Sequence, residues 1–269
     1  MSEIGSYLEG MFSLKGKVAL VVGSAGDIGA SIAACYNAVG ATVLLCDCNK
    51  EGLAKVQSGF EYPENSKYYE LDLLDEDSFE NFVDSIIKEH GKIDILVNSA
   101  GINKREGILD VSDETFDSII GVQFIGVYKL SALIVRESMR KTGGKIINVG
   151  SYTCYLAMGG SSVYAAAKNA IVGLTKSMCI EWARFGIQAN CVCPGHFRTG
   201  MTETNWANEE RAKWILERIA CERPGLPSEL NGAFLLLASS ASDYISGAIL
   251  NVDGGSVAGG KPYPFDTEY

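Results

Sequence analysis

Two histidines in 269 residues, no Cys-x-x-Cys pair and an excess of acid over base are the scarcities that narrow this sequence first. Zinc and iron centres draw on closely spaced histidine and cysteine, so no metal is expected. A net charge of −10, with no basic stripe, excludes nucleic acid and anionic lipid surfaces as partners. No apolar run approaches the roughly 18 residues of a membrane span. The opening residues carry Glu3 and Glu9 and lack a basic start, unlike a secretion signal. The expected compartment is the cytoplasm. Internal repeats, low-complexity tracts and interdomain linkers are also missing, which points to a single domain over 1–269.

Cysteine is not scarce. Eight are present, and most sit in apolar runs where a thiol behaves as a small hydrophobe. The pairs Cys46/Cys48 and Cys191/Cys193 are two apart on strand-like runs and so share a face, as structural thiols of a reducing compartment would.

Hydrophobic residues make up 47% of the chain, enough for a sizeable core. Continuous apolar runs at 17–22, 42–46, 68–71, 93–97, 145–149, 187–192 and 249–252 alternate with helical patterns. The helical patterns cover 28–39, 51–57, 78–89, 113–142 with a break near its start, 164–185 and 227–237. Continuous apolar strands separated by helices predict an α/β fold: a doubly wound, mostly parallel seven-stranded sheet covered on both faces, with its ligand crevice at the carboxyl ends of the strands. Residues 1–13 read as an extension and 198–226 as a polar lid. The tail 256–269 reads equally as a frayed terminus or an intersubunit contact.

Two stretches carry chemistry. Tyr164 and Lys168 lie four apart in an alanine-rich helix, which stacks them on one face. A fixed ammonium beside a phenol favours the phenolate and would tune Tyr164 as a general acid/base. Ser151 stands thirteen residues upstream, at the end of an apolar run. Near the N-terminus, Gly23-Ser-Ala-Gly-Asp-Ile-Gly29 joins a strand to a helix. Its glycines permit a tight turn, and the helix start offers unpaired N–H groups to a diphosphate.

From about Leu14 to Gly255 these motifs, in this order, resemble the short-chain dehydrogenase/reductase family. The resemblance implies that Ser151 hydrogen-bonds the substrate oxygen, that Tyr164 is the acid/base, and that Lys168 binds the nicotinamide ribose and lowers the tyrosine pKa. It makes Gly23, Asp27, Ile28 and Gly29 the diphosphate loop, with Asp27 departing from the family's middle glycine; a carboxylate there would have to turn away and cap the helix. Asp47, at the end of the second strand, would take both ribose hydroxyls and repel a 2′-phosphate, so the implied cofactor is NAD. Asp72 and Leu73 match the adenine contact. Asn98, Ala100 and Gly101 match an Asn-Asn-Ala-Gly signature. Pro194, Gly195, Phe197 and Thr199 match the loop that grips the carboxamide. Gln123 replaces the family's relay asparagine, offering the same amide one methylene further out. The motif Val252-Asp-Gly-Gly255 is tied to packing and tetramer contacts, and the family commonly forms tetramers through the helix bearing Tyr164 and its neighbour, so a homotetramer is implied.

The second half is most similar to the gluconate 5-dehydrogenase and polyol dehydrogenase branch, which implies a sugar acid, sugar or polyol as substrate. Arg198, Arg211 and Arg223 are candidates for a carboxylate clamp and equally for surface charges. His196 follows Pro194-Gly195 near the expected nicotinamide pocket. A competing expectation is an apolar alcohol such as a hydroxysteroid, held by Tyr152, Tyr155, Leu156, Met158 and Trp206. A third is a dinucleotide-binding regulator with little activity.

Overall fold

Seven strands form the frame: β1 (Val18–Val22), β2 (Thr42–Asp47), β3 (Ser66–Glu70), β4 (Ile95–Asn98), β5 (Gly144–Val149), β6 (Ile187–Pro194) and β7 (Ile249–Val252). They lie in the order β3-β2-β1-β4-β5-β6-β7 in this computed structural model, which describes residues 3–261. Every pairing is parallel, so the expected "mostly parallel" sheet is parallel throughout.

β1 shows why both faces are covered. Ala19 and Val21 enter one apolar cluster with Ile32, Tyr36 and Phe234; Val18, Leu20 and Val22 enter the other with Phe82, Ile86 and Leu130. Alternate residues of a strand point to opposite faces, so a run without polar interruption needs helices on both sides. The sheet's order reverses between β1 and β4, the switch point at whose carboxyl end a crevice opens.

Element ends move by a residue or three from the pattern: β3 begins at Ser66 and β4 at Ile95. The expected break in the long helix is instead a π-type turn, Gly121–Gly126, inside a helix continuous from Asp113 to Thr142. That helix is long and apolar enough to cross a membrane by length and composition. Here Leu130, Ile134 and Met139 are buried against the sheet, the ordinary use of such a helix in a core. At the π turn the helix passes so close to the β3 side that a Cβ on Gly126 would stand 2.7 Å from the Leu73 carbonyl oxygen.

The extension holds a helix, Glu3–Phe12, and the polar stretch 198–226 holds the short helices Glu203–Trp206 and Glu209–Leu216. Tail residues 262–269, read as frayed or as a subunit contact, lie outside the described residues.

Candidate active site

β5 ends at Val149, and the next residues turn over the sheet to place Ser151, 5% exposed, beneath the helix Ser162–Trp182. That helix presents Tyr164 and Lys168 on one side, with the Lys168 Nζ 5.7 Å from the centre of the tyrosine ring. Lys168 Nζ donates to the Val149 carbonyl at 2.8 Å, and Ser151 stands near enough to the Tyr164 hydroxyl to favour its charged form. Three residues from two elements thus converge at the end of β5.

Their electrostatics differ from the expectation. Burial pushes the Tyr164 phenol up to about 12, opposed by the neighbouring Ser151 hydroxyl. Burial also pushes the Lys168 ammonium down to about 8. In the protein alone, then, the lysine does not lower the tyrosine; desolvation dominates both groups because both are buried and the lysine's hydrogen bond goes to a backbone carbonyl.

Gln123 sits on the π turn, 1% exposed. Its Nε2 donates to the Ile102 carbonyl at 3.0 Å, and its Oε1 is buried without a partner. A Cβ on Gly101 would lie 2.9 Å from that Oε1 and 3.6 Å from Lys168 Nζ, so glycine leaves room for the amide and the amine to approach one another.

A cavity of about 390 Å³ opens above these groups, lined by Ser151, Tyr164, Lys168 and Gln123 together with Asn103, Arg105, Thr153, Ser161, His196, Asn205 and Arg211. Pro194, Gly195, Phe197 and Thr199 form its wall on the lid side. His196 packs against Tyr152 with ring centroids 4.5 Å apart and planes tilted by 41°, and burial, with Arg105 and Arg218 nearby, holds its pKa down at about 4. The imidazole is therefore neutral at pH 7 and can offer a hydrogen bond without charge. Of the three arginines singled out, Arg198 pairs with Glu203 at 3.1 Å and Arg223 with Glu229 at 2.6 Å, which leaves Arg211 on the cavity. Arg105 was missed. It lies in the loop after β4, and among the described residues neither it nor Arg211 forms an ion pair. Strand-end loops of a doubly wound sheet face the crevice, which was the available signal. Tyr152 and Met158 line the cavity, but Tyr155, Leu156 and Trp206 do not, so the expected apolar lining is mostly absent.

A second cavity of about 260 Å³ continues from the first over the switch point. It brings together Gly23, Asp27, Ile28, Gly29, Asp47, Asp72, Leu73, Ala100 and Gly101. Its glycines fit a backbone cradle: Gly23 has φ +83°, and a Cβ there would be 2.3 Å from the Ala100 nitrogen, while one on Gly29 would be 2.2 Å from the Gly23 carbonyl oxygen. The Asp47 carboxylate is fixed by the Ala25 N–H at 3.1 Å and the Asn49 N–H at 3.0 Å. Two expectations need correction. Asn98 turns into the core, where its Nδ2 donates to Ser131 Oγ at 3.0 Å and Asn148 Oδ1 at 2.8 Å, because the end of β4 faces the long helix rather than the groove. Asp27 does not cap its helix: Gly26 is the N-cap, and the Asp27 carboxylate accepts the Gly200 N–H at 2.6 Å.

A sheet with this order, a glycine cradle at its switch point and a serine, tyrosine and lysine converging beside it define a dinucleotide-dependent oxidoreductase fold. The chain belongs to the short-chain dehydrogenase/reductase family: the family model described as Enoyl-(Acyl carrier protein) reductase matches residues 23–257. It is 37% identical over 246 residues to gluconate 5-dehydrogenase of Gluconobacter oxydans, covering 91% of this chain and 96% of that one. It is 34% identical over 245 residues to 3-oxoacyl-[acyl-carrier-protein] reductase of Thermotoga maritima, covering 91% and 99%. Among solved structures, gluconate 5-dehydrogenase of Burkholderia cenocepacia in complex with NADP and tartrate superposes with a TM-score of 0.89 at 33% identity, covering 93% of this chain and 99% of that one.

Proposed function

We propose that this chain is an NAD-dependent dehydrogenase that interconverts a secondary alcohol and a ketone on a sugar acid. The observation that carries the substrate class is the pair Arg105 and Arg211, two guanidinium groups with no carboxylate partner among the described residues, on the cavity that holds Tyr164. An unpaired guanidinium fork suits a carboxylate. The buried Gln123 Oε1, Thr153 Oγ1 and Ser161 Oγ, unpartnered in the wall of the same cavity, suit the hydroxyls of a polyhydroxylated chain.

In this reading Ser151 donates to the oxygen that changes between alcohol and ketone, and Tyr164 holds the proton that oxygen gains or loses. Lys168 and Asn103 bound the neighbouring face. The bound nicotinamide supplies or takes the hydride. The Asp47 carboxylate, held by two N–H groups, accepts from the adenosine ribose and repels a 2′-phosphate. The nearest cation after it, Lys50, pairs with Glu70 at 3.8 Å. Asp47→Ser should therefore raise the ratio of NADP to NAD efficiency by about a hundredfold, since a like-charge juxtaposition costs several kcal/mol. Steady-state kinetics with both nucleotides measure it; an unchanged ratio would remove Asp47 from cofactor choice.

The same reading includes a cytoplasmic homotetramer. Phe116, Ile125 and Tyr128 on the long helix and Ile180 on the Tyr164 helix are exposed apolar side chains suited to its interfaces, and eight free thiols suit a reducing compartment.

The deciding experiment compares absorbance at 340 nm across aldonates, matching polyols, a hydroxysteroid and an acetoacetyl thioester. Turnover is expected with aldonates. Arg105→Ala and Arg211→Ala should each raise KM for the acid about tenfold and leave the matching polyol unaffected, the size of a lost charge-assisted contact. Turnover confined to the thioester would sink the sugar-acid reading.

A further inference from the structure

We propose that Asp27 is a positioning residue that fastens the lid across the dinucleotide groove and so governs how fast the cofactor leaves. The inference rests on the dinucleotide reading above. It begins with a residue that looks out of place: a carboxylate in the first helical turn after the glycine loop, beside N–H groups suited to a diphosphate. Left free, such a carboxylate would repel that diphosphate.

Its placement removes the conflict. Asp27 Oδ2 accepts the Gly200 N–H at 2.6 Å, a contact between residues 173 apart in sequence. Gly200 opens the turn Gly200–Thr202, and that turn is tied to the cavity wall. Thr202 Oγ1 donates to the Phe197 carbonyl at 2.6 Å, accepts from the Thr199 N–H at 3.0 Å and meets Trp206 Nε1 at 3.2 Å. Thr199 and Met201 line both the substrate cavity and the cofactor groove, so the strap crosses where the two join. The Asp27–Gly200 bond lies on the exposed side, not in the packed core, and can open without disturbing the sheet. Closed, it occupies the carboxylate and bridges the groove; open, it frees the exit.

Three substitutions separate the strap from simple charge repulsion. Asp27→Ala removes acceptor and charge, and Asp27→Asn keeps an acceptor oxygen without the charge. Gly200→Pro removes the donor and leaves the charge; proline suits the first position of a turn, and Thr199 before it is already extended at φ −143° and ψ 164°. NADH dissociation, followed by stopped-flow fluorescence, should speed up about tenfold in Asp27→Ala and in Gly200→Pro, the effect of losing one charge-assisted bond. The double substitution should add nothing further, and Asp27→Asn should stay within about threefold of wild type. Without nucleotide, amide hydrogen exchange over residues 197–206 should rise in Asp27→Ala and Gly200→Pro, while the melting midpoint holds. Repulsion alone predicts the opposite pattern: slower release in both Asp27→Ala and Asp27→Asn, and no effect of Gly200→Pro. That pattern, or unchanged exchange over 197–206, overturns the strap. Failure of the wild-type protein to bind NADH would overturn the dinucleotide reading itself, whereas the exchange comparison still decides whether the bond holds the lid.

Discussion

Replacing Tyr164 by Phe should lower kcat by about a thousandfold, within the range that a positioned general acid/base supplies, and leave NADH binding within a small factor of wild type. The substitution deletes one hydroxyl from a partly buried ring that already packs in place, so the helix Ser162–Trp182 has no reason to shift. What disappears is the proton carrier beside Ser151. Burial pushes that phenol up to about 12 in the protein alone, which keeps it protonated at pH 7 and suits it to give a proton to a ketone oxygen. Alcohol oxidation needs the deprotonated form. Its rate should climb with pH by up to about tenfold per unit until the phenol's value in the loaded site is reached, whereas ketone reduction should be flat over the same range. Single-turnover rates from pH 6 to 10 test both limbs. An oxidation rate independent of pH in wild type, or a Phe variant retaining more than a tenth of the activity, would take the acid/base role away from Tyr164.

The strands and the serine, tyrosine and lysine were legible in the sequence for physical reasons. A parallel strand buried on both faces must be apolar throughout, so Leu20 and Leu44 announce themselves; a helix repeat fixes Tyr164 and Lys168 to one side whatever lies beyond it. Local pairings were within reach as well, such as Arg198 with Glu203 five residues on. Contacts made by loops across the fold were not. Arg105 depends on how its loop lies against the residues before the Tyr164 helix, where the Glu106 N–H donates to the Gly160 carbonyl at 3.1 Å. Asp27 meets Gly200 only after the whole sheet is assembled. Asn98 matched a motif, and its side chain nevertheless serves the core, because a motif gives a residue's place on the strand and not which face it takes. The lysine's effect on the tyrosine was the other limit: spacing predicts proximity, and only the buried surroundings reveal that desolvation outweighs it.

Lys168→Met should abolish turnover and at the same time make the cofactor-free protein more stable. Lys168 is 4% exposed, and burial pushes its amine down to about 8 from the ordinary lysine value of 10.5. A lysine whose folded value lies below its unfolded value costs stability while both states carry the charge. Below about pH 8 the folded state bears the full penalty. Between about pH 8 and 10.5 the unfolded chain retains a proton that the folded protein has released, so stability rises with pH, and above that range the cost is gone. The penalty near pH 7 is about 3 kcal/mol. Methionine fills a similar volume without charge, and it gives up the bond to the Val149 carbonyl, worth about 1 kcal/mol. The net expectation is a variant about 2 kcal/mol more stable at pH 7, or a few degrees in Tm, with the advantage gone by about pH 10.5. Urea unfolding at pH 7 and pH 10 measures it. A variant less stable at both values would show that the amine is comfortable where it sits and that its hydrogen bond, not its burial, sets the balance. A gain confined to the lower pH would identify Lys168 as a group kept for chemistry at the expense of the fold. Saturating NADH should then narrow the gap by stabilising wild type more than the variant.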